Sequence, residues 1–307
     1  MKVLVTGVNG QLGHDVMNEL AKRGIEGIGS DLKEKYIGVE DDSAVTTMPY
    51  VSLDIVDDEA VIKVIRGIMP DAVIHCAAWT AVDDAEIDKN KDKVLAINAV
   101  GTSNIAKACV AVRAKLLYVS TDYVFNGTGI KPWQPYDTTC PVNFYGNSKL
   151  KAEKFISEYM TQYYIVRTAW AFGANGNNFV KTMLSLGKKY DTLRVVDDQI
   201  GTPTYTYDLA RLLVDMIETD KYGIYHATNE GGYISWADFA KEIFKLAGYS
   251  TKVVPVSTLE YGLSKAKRPL NSRLDKSCLL KNGFCPLPSW QNALARYIND
   301  LECHNVI

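Results

Sequence analysis

The chain predicts an α/β protein: a Rossmann-type doubly wound parallel sheet with a smaller C-terminal substrate-binding lobe. Three observations carry this. Short apolar runs alternate with amphipathic segments through the first half, the pattern of strand–helix units whose parallel strands are joined by right-handed crossovers. The first run, Lys2–Thr6, leads at once into Gly7-Val8-Asn9-Gly10-Gln11-Leu12-Gly13 and then an amphipathic stretch to about Arg23. The next apolar run ends in Asp31, 18 residues after Gly13.

Taken in order, runs at 2–6, 25–30, 51–53, 72–75, 115–120 and 163–167 read as strands. Amphipathic segments near 11–23, 57–67, 90–113 and 145–161 read as the helices between them. Beyond Trp170 the pattern loosens into a helix at 179–189, a strand at 193–197, a helix at 206–218 and a strand at 223–228. Ser235 has the character of an N-cap for a helix to about Ala247, and a last helix spans about 289–302. The division expected is a dinucleotide-binding domain over 1–168, with return segments at about 191–228, and a substrate lobe from 169–190 and 229–307. With no Pro/Gly-rich linker, the lobe should pack on the domain without a tether.

With 307 residues, 47% of them apolar and 23% charged, the chain has the composition of an ordinary soluble protein. A net charge of −2 gives no reason to expect nucleic acid or an anionic membrane as a partner. Six cysteines without a C-x-x-C pair read as reduced thiols. The histidines at 14, 75, 226 and 304 form no ligand pattern for zinc. An apolar strand beginning at Lys2 leaves no room for a leader peptide, and no apolar run approaches membrane-spanning length. The expected compartment is the cytoplasm. Asn126-Gly127-Thr128 reads as a turn.

Strand, glycine turn and helix together place a pyrophosphate on the backbone N–H groups that open the helix, here Gly10, Gln11 and Leu12. Gly7, Asn9 and Gly13 belong to the same turn. Asp31 stands where a carboxylate would accept hydrogen bonds from a ribose, and its charge would repel a 2′-phosphate, favouring NADH over NADPH. Further along come Ser120-Thr121-Asp122 and, 24 residues on from Thr121, Tyr145-Gly146-Asn147-Ser148-Lys149. A Tyr and a Lys four apart share a helix face, and the ammonium would lower the pKa of the phenol. Tyr145 then serves as a proton donor or acceptor, with the Thr121 hydroxyl holding a substrate oxygen beside it.

These two motifs together resemble the extended short-chain dehydrogenase/reductase family. The runs 75–83, 120–125, 167–170, 198–204 and 268–272 narrow the resemblance to its dTDP-4-dehydrorhamnose reductase branch, over essentially the whole chain. The resemblance implies reduction by NADH or NADPH of the C4 keto group of a dTDP-4-dehydro-6-deoxy sugar, in cell-surface polysaccharide synthesis. Thr121, Tyr145 and Lys149 would be catalytic. Asp54 and Ile55 would contact adenine, and Ala77, Ala78 and Thr80 would wall the pyrophosphate and nicotinamide ribose. Asn98 would support a kinked helix and a water relay to Lys149. Val82, Asp122, Tyr123, Trp170, Asn178 and Arg268 would meet the sugar nucleotide; Trp170 equally suits core packing. Some members use magnesium, for which no carboxylate cluster is evident, and a homodimer is compatible with the family. Departures from the family pattern, at Asp137-Thr138 and Lys151-Ala152-Glu153, lie outside the catalytic set.

Two rivals share the fold. A dehydratase needs an Asp-Glu pair after the Thr, where this chain has Asp122-Tyr123. An epimerase needs only the Tyr–Lys–hydroxyl set. From another class, the regulatory subunit of methionine adenosyltransferase binds a cofactor without turnover; an intact Thr121, Tyr145 and Lys149 argues for an enzyme.

Overall fold

The computed structural model describes residues 1–39 and 43–303, so His304 lies outside the described residues. Six strands are β1 (Lys2–Thr6), β2 (Glu26–Asp31), β3 (Tyr50–Ser52), β4 (Ala72–His75), β5 (Lys115–Thr121) and β6 (Tyr163–Thr168). With Gly223–His226 they form one seven-stranded sheet in the order 223–226, β6, β5, β4, β1, β2, β3. Every pairing in it is parallel. Chain order reverses between β1 and β4, and ligands of such sheets bind at that switch, beyond the carboxyl ends of the strands.

Both faces of the sheet are covered, which is why its inner strands are apolar without alternation: Val3, Leu4 and Val5 are all fully buried. On one face Val3, Val5 and Ile74 pack with Val16, Met17 and Leu20 of the helix Gln11–Lys22 and with Leu209, Leu212 and Leu213 of Thr206–Ile217. On the other, Leu4, Val73, Leu116 and Tyr118 meet Val61 and Ile65, Ile105 and Cys109, and Ala152 and Ile156 from the helices Asp58–Ile68, Thr102–Val112 and Phe144–Tyr159.

The lobe has its own core, in which Phe172, Val180, Phe239, Phe244, Leu294 and Tyr297 pack together. Thr192–Val196 pairs with Lys252–Val256, away from the central sheet. Ser235 caps Trp236–Leu246 as its side chain accepts the Asp238 N–H.

Two features depart from the sequence reading. The segment expected as one helix at 90–113 is Asp88–Leu95, a wider-wound turn at Ala96–Gly101, and Thr102–Val112. Together these 25 residues are long and apolar enough, by length and composition, to cross a membrane, which corrects the expectation that no run reaches that size. Their most apolar window is 61% buried inside the protein, against the sheet and the neighbouring helices.

The glycine turn is tight for a steric reason. A Cβ on Gly13 would stand 2.3 Å from the Gly7 carbonyl oxygen and 2.8 Å from Val8 Cα. Gly7 itself has φ +75°, and its missing side chain would meet the Ala77 backbone at 2.6 Å. Because both obstacles are backbone, Gly13→Ala should destabilise the fold by about 1–3 kcal/mol, read as a lowered Tm with weakened dinucleotide binding. An unchanged Tm would show that the helix can move off the turn freely.

Candidate active site

A cleft of about 1030 Å³ opens along the carboxyl ends of the strands and runs under the lobe. One end is the glycine turn. Gly10 caps the helix Gln11–Lys22 with no side-chain cap, and Gly7, Gly10, Gln11, Leu12 and Gly13 line the cleft. An uncapped helix N-terminus offers free N–H donors and positive potential. Asp31 closes this end; its Oδ2 accepts the Asn9 N–H at 3.0 Å and its Oδ1 the Leu32 N–H at 2.8 Å. Asp54, Ile55, Ala77, Ala78 and Thr80 line the same stretch. Uncapped donors, a narrow turn and a fixed carboxylate fit a dinucleotide.

Three expected residues hold the walls and do not form them. Asn9 uses its Oδ1 to accept the Ile37 N–H. Asn98, buried in the wider-wound turn, accepts the Trp79 N–H at 2.7 Å and donates to Trp79 O and Ser148 Oγ. It thereby ties the loop after β4 to the helix Phe144–Tyr159. Asn178 caps the helix Phe179–Gly187 and donates to Gln11 Oε1, Gly173 O and Tyr297 OH, while its neighbours Asn177 and Phe179 face the cleft.

At the centre, Thr121 ends β5 and Tyr145 stands in the first turn of Phe144–Tyr159. Thr121 Oγ1 donates to Asp122 Oδ1 at 3.0 Å. Burial raises the pKa of the Tyr145 phenol, the charge of Asp122 adds to this, and a hydrogen bond with Thr121 opposes it. Lys149 Nζ donates to Val119 O at 2.7 Å and lies 4.2 Å from the centre of the Tyr118 ring. Burial pulls its ammonium down to about 7, against the attraction of Glu153. The expectation of a phenol acidified by Lys149 is therefore corrected for this state: both groups are desolvated, and desolvation disfavours each charged form. The phenol keeps its proton. Burial likewise lifts Asp122 to about 6, against hydrogen bonds from Ser272 and Thr121.

Toward the lobe, Val82, Asp122, Tyr123, Trp170 and Arg268 all line the cleft. Trp170 has φ +51°, a strained setting for a bulky residue. Its indole stacks on Trp236, ring centres 3.7 Å apart, and closes over Gly201, where a Cβ would lie 2.9 Å from it. Arg268 grips Asp83 through both Nη atoms, at 3.2 and 2.6 Å. Trp236, which also lines the cleft, was missed in the sequence; the N-cap at Ser235 marked the helix start but not that its first residue reaches the cleft. Among the described residues no group of three or more His, Cys, Asp or Glu side chains gathers to hold a metal.

Fold and residue set are those of the short-chain dehydrogenase/reductase class. The model for the RmlD substrate binding domain matches residues 1–303, and the chain belongs to that family. It is 40% identical over 298 residues to the dTDP-4-dehydrorhamnose reductase of Streptomyces griseus, covering 95% of this chain and 91% of that one. It is 37% identical to the spore coat polysaccharide biosynthesis protein SpsK of Bacillus subtilis, over 97% of both chains. The crystal structure of dTDP-4-dehydrorhamnose reductase from Bacillus anthracis in complex with NADP superposes with a TM-score of 0.88 at 42% identity, over 98% of this chain and 100% of that one.

A lysine whose folded pKa lies below its unfolded value binds fewer protons when folded, so its burial costs stability at low pH. Stability is regained as pH rises from about 7 toward the unfolded value. Lys149→Met should therefore raise the Tm of the cofactor-free protein at pH 6, with the gain fading by about pH 10. A lowered Tm at pH 6 would show that the Val119 and Tyr118 contacts outweigh desolvation.

Proposed function

We propose that the protein reduces the C4 keto group of dTDP-4-dehydrorhamnose with NADH or NADPH, forming dTDP-rhamnose for cell-surface polysaccharide. The observation that carries this reading is the Tyr145 phenol lining the same dinucleotide-type cleft as the strand-end hydroxyl of Thr121. The relatives' activity sets the substrate.

Gly10, Gln11 and Leu12 hold the pyrophosphate on helix N–H groups, while Ala77 and Ala78 let it approach the backbone. Asp31 takes the adenosine ribose hydroxyls. When bound, the nicotinamide supplies the hydride. Thr121 turns its hydroxyl from Asp122 to the sugar C4 oxygen and orients it. Tyr145 gives its phenolic proton to that oxygen as negative charge builds there. Its raised pKa makes it an acid that reacts only with a strong base such as a nascent alkoxide. Lys149, as an ammonium, stabilises the phenolate left behind and binds the nicotinamide ribose. Val82, Trp170 and Trp236 wall the sugar nucleotide, and Arg268, released from Asp83, meets its diphosphate.

Tyr145→Phe removes the transferable proton and keeps the ring. Its kcat should fall ~10²–10⁴-fold with dinucleotide binding largely intact, and Thr121→Ala should lose less. Hydride transfer at the unaltered rate in a single turnover of Tyr145→Phe would remove Tyr145 as the acid.

NADH is the preferred donor on this reading, because the Asp31 carboxylate faces any 2′-phosphate. Asp31→Ala should shift the ratio of kcat/KM values toward NADPH by about tenfold, equivalent to ~1.4 kcal/mol. An unmoved ratio would detach Asp31 from the ribose.

A further inference from the structure

Glu153 lies one turn beyond Lys149 on the helix Phe144–Tyr159, so Tyr145, Lys149 and Glu153 follow at i, i+4 and i+8 on one face. It is 4% exposed. Its Oε1 accepts Ser120 Oγ–H at 2.6 Å and Arg167 Nε–H at 2.9 Å, and its Oε2 accepts Arg167 Nη2 at 2.6 Å. Arg167, on β6 and equally buried, gives Nη1 to Pro135 O. A buried ion pair of this kind contributes little net stability once desolvation is counted, so stability alone does not explain it. Its placement does suggest a reason: Ser120 precedes Thr121, and Lys149 is the next cation along the helix face.

We propose that Glu153, fixed by Arg167 and Ser120, is a positioning residue that keeps Lys149 an ammonium beside Tyr145. The inference rests on the role given to Lys149 above. Burial drives the lysine toward its neutral form, and Glu153 is the leading opposing influence. After Glu153, the next influence opposing that burial is the Cys76 thiol. From β4 and its end come His75, held neutral by burial, and the Cys76 thiol. From β5 comes the Tyr118 ring, and from the turn after it Asp122, which bears on Tyr145. Arg167 of β6 is taken up by Glu153. Residues 96–101 bring the uncharged Asn98 to Ser148. At the helix start, Glu86 accepts the Phe144 N–H, Lys91 lies over Phe144 and is paired with Asp88, and Asp83 is held by Arg268. At the far end Lys107 lies over Tyr159.

The test is kcat/KM against pH for the full chain, with NADH and the 4-keto sugar nucleotide, comparing the parent with E153Q, E153D and Y145F. E153Q keeps the shape and removes the charge. Its alkaline-side fall in activity should move to lower pH by about 1–3 units, the effect of losing an adjacent opposite charge. E153D, which keeps the charge, should bring the fall back toward the parent's pH. A purely structural role would change rate alike at every pH. If E153Q strands the Arg167 charge and does not fold, E153Q/R167M removes both charges and is read the same way. An alkaline fall that stays in place in the folded variant overturns the proposal. Y145F separates the two readings: a slow Y145F with an unmoved E153Q profile defeats this inference alone, whereas a Y145F at the parent rate defeats the acid assignment itself.

Discussion

The approach of the helix Phe144–Tyr159 to the end of β5 is the constraint on which the site depends. Gly146 makes it sterically allowed, since a Cβ there would lie 2.2 Å from the Tyr123 carbonyl oxygen. Asn143 accepts the Gly146 N–H and Glu86 the Phe144 N–H, so the helix start is held from two directions. The result is that Tyr145 meets Tyr123 edge-on, ring centres 5.9 Å apart, next to Thr121. One turn on, Asn98 fastens Ser148 to the loop after β4; two turns on, Glu153 fastens the helix to Ser120 and Arg167. The loop after β4, Tyr145 and Thr121 are therefore held together through one helix.

The same closeness sets the electrostatics. A phenol and an ammonium in one desolvated region each shift toward neutrality, the phenol upward and the lysine to about 7. For a reduction this is a useful state. On the proposed reading, Tyr145 holds its proton until an alkoxide forms, and Lys149, in its protonated form, stabilises the phenolate that remains. An oxidation starting from the alcohol would favour the opposite arrangement, with the phenol already ionised.

Much of this was legible in the chain because it is written in local periodicity. The runs of β1, β4 and β5 are apolar through their centres, the glycine turn has its own spacing, and Tyr145 and Lys149 share a helix face by arithmetic alone. Boundaries moved by no more than two residues at strands and helices alike. What was not legible depends on partners far apart in sequence. Nothing local marks Trp236 as the surface on which Trp170 stacks, or Arg268 as the partner of Asp83. Asn178 was expected to meet the substrate, yet three partners from distant segments draw its side chain into the wall. Glu153 passed as a departure outside the catalytic set because its importance comes from Arg167 and Ser120, on two other elements. The sign of the pKa change at Tyr145 was missed for a related reason: spacing shows which charge is near, while burial, which proved larger, is a property of the folded whole.

Cofactor stoichiometry tests the account most directly. The purified protein would be given NADH or NADPH and dTDP-4-dehydrorhamnose, with nicotinamide absorbance followed and the sugar product identified by NMR. The account predicts one reduced nicotinamide consumed for each dTDP-rhamnose formed, and no turnover of the keto sugar without it. Interconversion of sugar epimers with no net consumption of the nicotinamide would contradict it and identify the Tyr–Lys–Thr set as that of an epimerase.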